Sequence, residues 1–160
     1  MEQLIAAALK WLEAQGFCAV RRTPQGVFPR LNGTVVAVDV AGTKMTQAGL
    51  YDYLGMTDAD GKRVSLYGRK IEAKVLLKIV TPRTLGAKEC MEQADLVLTA
   101  LSGGIPGLTM GEISSEACEY EADTDCFFCK VTARVQAYIY ALANEEETEF
   151  TDFVLKGEVQ

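Results

Sequence analysis

Apolar side chains at Leu4, Ile5, Ala8, Trp11 and Leu12 recur at i, i+1, i+4, i+7 and i+8. That spacing makes one helical stripe and predicts an amphipathic helix over Glu2–Gln15, stopped by Gly16 in a left-handed turn. Phe17–Arg22 reads as a short strand. Pro24-Gln25-Gly26 is a turn, and Val27–Leu31 leads to a second turn at Asn32-Gly33. Thr34–Val40 is apolar at nearly every position, the pattern of a central strand covered on both faces.

The next stretch, 41–68, is punctuated by Gly42, Gly49, Gly55, Gly61 and Gly68. Asp60-Gly61 is a hairpin dipeptide between Tyr51–Met56 and Arg63–Tyr67, so a long glycine-punctuated hairpin insert is expected. Strict alternation then takes over. Ile71, Ala73, Val75, Leu77 and Ile79 face one way and Glu72, Lys74 and Lys78 the other, a strand with one buried face. Pro82 ends it, Thr84 is placed to cap a second helix, and Leu85–Leu101 carries an inner stripe of Ala87, Met91, Ala94, Leu98 and Leu101, widened by Cys90 and Val97. Ser102-Gly103-Gly104 closes it. Met110–Glu121 and Cys126–Leu142 form an antiparallel pair across Asp123-Thr124-Asp125. In the second strand Val131, Ala133, Val135, Ala137, Ile139 and Ala141 share the core face. Thr132, Arg134, Gln136, Tyr138 and Tyr140 share a wettable one. After the acidic run Glu145-Glu146-Glu147, residues 150–159 read as a C-terminal strand or arm. The expected architecture is a single α+β domain over 1–160, a mainly antiparallel β-sheet with two amphipathic helices packed on it.

Composition narrows the chemistry. The chain has 160 residues, 49% hydrophobic and 24% charged, enough to bury about two-thirds of its extended surface in a core. Sixteen basic against 22 acidic side chains give a net charge of −6, the wrong sign for wrapping nucleic acid or coating an anionic membrane. There is no histidine, which removes Ser-His-Asp triads, Cys-His dyads and His-ligated metals together. The apolar run in Met1–Leu12 has acidic flanks and no basic stretch before it, so it does not read as a secretory signal; no segment reaches 18 consecutive apolar residues. Five cysteines, at 18, 90, 118, 126 and 129, make an odd and sparse set, expected to be reduced apolar residues.

Three motifs imitate functional ones. Cys126-Phe127-Phe128-Cys129 has CxxC spacing, but a strand in the phase of Val131–Ala141 sends Cys129 to the core face and Cys126 to the other. Asp58-Ala59-Asp60-Gly61 starts like a calcium loop, yet positions six and twelve are Arg63 and Arg69. Ser102-Gly103-Gly104-Ile105-Pro106-Gly107 is glycine-rich but runs helix to strand, the reverse of a phosphate loop. No catalytic, cofactor-binding or metal-ligating residue is therefore assigned, and catalysis resting on Cys18 or Cys90 without histidine is disfavoured.

The order of elements resembles that of structural proteins of tailed phages and prophages, the tail terminator and minor tail (head–tail joining) group. The resemblance rests on the helix ending at Gly16-Phe17, Val27-Phe28-Pro29-Arg30-Leu31, and the strands Thr34–Val40 and Ile71–Val80. It continues through the helix Leu85–Leu101, the segment Asp125-Cys126-Phe127-Phe128-Cys129-Lys130-Val131 and the ending Phe150-Thr151-Asp152-Phe153-Val154-Leu155-Lys156-Gly157. It implies a non-enzymatic subunit that assembles with itself into a ring, often a hexamer, and meets other tail or head-completion proteins. It also implies a virion component assembled in the bacterial cytoplasm, without cofactor, specific nucleic-acid binding or membrane. The alternative is a small-molecule- or peptide-binding module using the Tyr138/Tyr140 face.

Overall fold

A computed structural model describes residues 2–22, 31–143 and 153–156. Helix α1 (Glu2–Ala14) buries Leu4, Ile5, Ala8, Trp11 and Leu12, the stripe expected from the sequence. Gly16 takes φ 88°, and Phe17 N–H reaches back to the Leu12 carbonyl at 3.0 Å, satisfying an otherwise orphaned helix-end acceptor. The chain then enters β1 (Ala19–Arg21), shorter than Phe17–Arg22. Arg21 donates two hydrogen bonds to the Glu2 carboxylate, at 2.7 and 2.6 Å, so the start of α1 is tied to the strand beneath it.

The remaining strands are β2 (Val35–Gln47), β3 (Tyr53–Ala59), β4 (Lys62–Pro82), β5 (Thr109–Ser115), β6 (Glu119–Glu121), β7 (Cys126–Ala143) and β8 (Phe153–Lys156). They form one mixed, mostly antiparallel sheet in the order β1-β2-β4-β7-β5, with β3 beside β4 and both β6 and β8 beside β7. Only the β1–β2 pairing is parallel among the described strands. The fold is α+β, as the hydrophobic pattern predicts. Its spine is the β4–β7 ladder, in register from Ser65↔Ala143 to Pro82↔Cys126.

Helix α2 (Gly86–Ser102) follows a 3₁₀ turn at Arg83–Leu85, and no side chain caps it, so Thr84 does not act as the expected cap. Its buried stripe is Cys90, Ala94, Val97 and Leu101, while Met91 is exposed and Leu98 is half-buried. All four buried residues belong to the expected stripe and its widening, and the buried face is turned by about 50° from the centre of that stripe, towards Cys90 and Val97 and away from Met91 and Leu98. Two interleaved apolar rows satisfy the same periodicity, and packing on the sheet selects the row with Cys90.

Both helices lie on one face, over Val36, Val38, Val75, Leu77, Ile79, Cys129, Val131, Ala133 and Val135, in one continuous core. The phases expected for β4 and β7 hold. A small second cluster, Val80, Cys126 and Phe128 with Leu31, lies on the opposite face near one end, and Val35–Val38 are buried on successive positions.

The 41–68 region differs from a separate hairpin insert. The Asp60-Gly61 turn is present, with φ 52° and 77°. However, β2 runs on to Gln47 and β4 starts at Lys62, so this region is the far end of the main sheet's own strands. Of the expected arm 150–159, Phe153–Lys156 pair with β7 as β8. The rest of that arm, the Pro24-Gln25-Gly26 turn, most of Val27–Leu31 and the acidic run Glu145–Glu147 lie outside the described residues.

Candidate functional site

Strand β4 has 21 residues, an extent of about 70 Å, whereas the 17 residues of α2 cover about 25 Å. The helices therefore cap only one end of the sheet. Core packing against them reaches Val40, Ala73 and Val135 and goes no further. Beyond that line β2, β3 and the first part of β4 form a ribbon with no helix layer among the described residues.

This distal ribbon carries unusual side chains for a solvent-facing surface. Met45 on β2 is 53% exposed, Met56 on β3 52%, and Leu50 and Tyr51 in the connection between them 77% and 83%. Tyr51 and Asp52 both have left-handed backbones, φ 54° and 61°. A bulky residue there costs roughly 1–2 kcal/mol, so the connection spends conformational energy to hold an aromatic ring outward. Arg69 Nε donates to Asp52 at 3.2 Å and steadies the turn.

The two long edges of the sheet are unlike. Along β7 the outer side is lined in succession by β6, β5 and β8. On the other side β1 reaches only Val36–Val38, so Thr43–Gln47 of β2 and the outer side of β3 have no strand partner among the described residues. An unpaired edge flanked by exposed apolar side chains is a template for strand addition.

The Tyr138/Tyr140 face is not the wettable platform expected. Tyr140 is buried, and its cross-strand partner is Gly68, where a Cβ would sit 2.7 Å from Tyr140 Cβ. An open groove of about 420 Å³ lies across the sheet instead, lined by residues including Gly42, Lys44, Glu72, Lys74, Arg134 and Gln136. It sits where β2 bulges between Val40 and Gly42.

A separate chemical cluster lies under α2. Cys129 faces the core from β7, between its β4 partner Ile79 and the chain entering β6. Glu119 pairs with Phe128, so Cys118, one position earlier, falls beside Cys129. Cys90 comes down from α2. Its Sγ is 3.7 Å from Cys129 Sγ and 3.7 Å from the Ile79 carbonyl oxygen, and the three sulfurs all lie within 4.8 Å of one another. Cys90 and Cys129 are buried and Cys118 is half-buried. Burial pushes the Cys129 thiol strongly upward and the Cys90 thiol upward, with a hydrogen bond to Thr81 partly opposing it for Cys90. These thiols stay protonated unless a cation replaces the proton.

Sequence reasoning examined Cys126 with Cys129 and separated them correctly. Cys126 packs with Val80 and Phe128 on the other face. It missed the Cys90–Cys118–Cys129 trio, whose members are distant in the chain. The Cys90 and Cys129 positions in apolar rows were visible; the break between β5 and β6 that turns Cys118 inward was not.

No protein-family model matches this chain, and no curated protein matches it.

Proposed function

We propose that this protein is a non-catalytic structural subunit of a phage or prophage tail, a tail terminator or head–tail joining protein. In this reading it assembles with itself into a ring, often hexameric, and contacts other tail or head-completion proteins as a virion component put together in the bacterial cytoplasm. The observation that carries the reading is the distal ribbon, beyond the reach of α1 and α2. It exposes Met45, Leu50, Tyr51 and Met56 along a sheet edge with no strand partner among the described residues. A ring needs a heterologous contact, in which one surface of a copy meets a different surface of the next. The dissimilar edges of this sheet fit that requirement. The net charge of −6 suits a lumen through which nucleic acid passes without adhering.

The test uses particles induced from a strain carrying the gene, treated with an amine cross-linker. The expected result is this protein in purified particles, with Lys44 and Lys62 on the ribbon joined to a second copy or to another tail protein. Absence from particles, or presence without any cross-link from the ribbon, overturns the proposal. A monomer whose melting temperature rises with a small ligand, and loses that rise in Lys74→Ala on the β2–β4–β7 groove, favours the binding-module alternative.

A further inference from the structure

We propose that Cys90, Cys118 and Cys129 form a three-thiolate site for a soft, thiophilic d¹⁰ metal ion, of the Zn²⁺ or Cu⁺ class, that braces α2 against the sheet. The inference is independent of the assembly reading.

Three features of the geometry carry it. First, the sulfurs converge from three separate elements: α2, β7 and the link between β5 and β6. Three of the five cysteines, far apart in the chain, thereby put their sulfurs at one point of the core. Second, the spacing suits coordination. Metal–sulfur bonds of about 2.3 Å at tetrahedral angles place sulfurs about 3.8 Å apart, and Cys90 and Cys129 stand at 3.7 Å. The third sulfur, within 4.8 Å, comes from Cys118, the half-buried member, so a sulfur displacement of at most about an ångström completes the set. Third, the donor set is selective. Sulfur ligands without carboxylate or imidazole favour Zn²⁺ and Cu⁺ over Mg²⁺, Ca²⁺ or Mn²⁺.

Binding replaces one proton on each thiol, so three protons leave as three metal–sulfur bonds form, and no electron is transferred. The role is structural. The neighbours are the Ile79 and Ala87 carbonyl oxygens and the Thr81 hydroxyl, none of them a base suited to activating water. A metal here would fasten α2 to β7 and to the link preceding β6, an arrangement otherwise held by apolar contact and weak thiol hydrogen bonds.

The experiment titrates fully reduced protein, in a non-thiol reductant, with Cd²⁺ as the spectroscopic stand-in for Zn²⁺. Parallel arms use Zn²⁺ against a chromophoric chelator and Cu⁺ delivered from a competing ligand. The expected result is one equivalent of Cd²⁺ bound with an ultraviolet sulfur-to-metal charge-transfer band, and a raised melting temperature with Zn²⁺ or Cu⁺. In Cys118→Ser, the least buried ligand and so the variant that best preserves folding, affinity should fall about tenfold or more. In Cys18→Ser and Cys126→Ala the band should be unchanged. No charge-transfer band in folded protein, or a band of full intensity in Cys118→Ser, overturns the proposal. The Zn²⁺ and Cu⁺ arms decide which ion the site prefers.

Discussion

Leu76 and Leu77 are neighbours on β4, with identical side chains and opposite faces. Leu77 is 2% exposed beneath the helices, whereas Leu76 is half-buried on the other face, beside Asp39 and Thr132. Leu→Ala at either position alters strand propensity and the unfolded chain almost equally, so the difference between the two variants isolates burial. At Leu77 the substitution removes three buried carbons, about 2.4 kcal/mol of transfer free energy, and leaves a cavity between α2 and the sheet. The total is about 3–4 kcal/mol. At Leu76 water can enter the vacated space, so no cavity remains and the loss is about 1 kcal/mol. With a urea slope of about 2 kcal/mol per molar, the midpoint should fall by about 1.5–2 M for Leu77→Ala and about 0.5 M for Leu76→Ala. Urea unfolding followed by Trp11 fluorescence and by far-ultraviolet circular dichroism gives both midpoints. Equal shifts, or a larger one for Leu76→Ala, would refute the assigned face of the longest strand and the placement of the helices with it.

Two further outcomes follow from the structure. Gly68→Ala should lower the urea midpoint by the equivalent of about 1–3 kcal/mol, because a Cβ there would meet the Ile139 carbonyl and sit 2.7 Å from Tyr140 Cβ; a midpoint equal to wild type would show that the two strands separate freely at this point. Stability should fall as pH rises above about 8.5, the unfolded thiol range, since burial raises the folded-state values of Cys90, Cys126 and Cys129 and only the unfolded chain then sheds those protons; metal-free Cys90→Ala should show a shallower fall, and an equally steep one would refute the assignment.

The fold was legible where one pattern had one solution. In α1 a single apolar stripe and one glycine defined both the buried face and the stop, and they match residue for residue. The phases of β4 and β7 were equally plain, because alternation over many residues leaves only two choices and the charged residues remove one. In α2 the apolar residues form two adjacent rows, and only the docking angle on the sheet distinguishes Cys90–Val97 from Met91–Leu98. The continuity of β2 and β4 through 41–68 was hidden by glycines that read as turns, although Gly68 sits inside a strand, where a Cβ would meet Tyr140. The thiol cluster was beyond reach for a different reason. The hairpin register Glu121↔Cys126 puts Cys118 beside Cys129, but the tertiary docking of α2 that brings Cys90 onto them is not written in that hairpin.

The β4–β7 ladder also orders events in time. Its strands are separated in the chain by α2, β5 and β6, so no part of it forms until that intervening segment has folded back. Such non-local pairing makes for slow folding. Pro82↔Cys126 closes the smaller loop, and the neighbouring stretch gains the burial that α1 and α2 provide; Ser65↔Ala143 closes the larger loop, beyond the reach of those two helices. Pairing is therefore expected to start at the helix-covered end and to travel outward. The exposed edge obeys the opposite order: β3 meets β4 across the two-residue Asp60-Gly61 turn, and Gln47↔Arg69 closes a shorter loop than Val35↔Val80, so that edge is expected to pair before the ladder beside it and to stand open while the ladder closes.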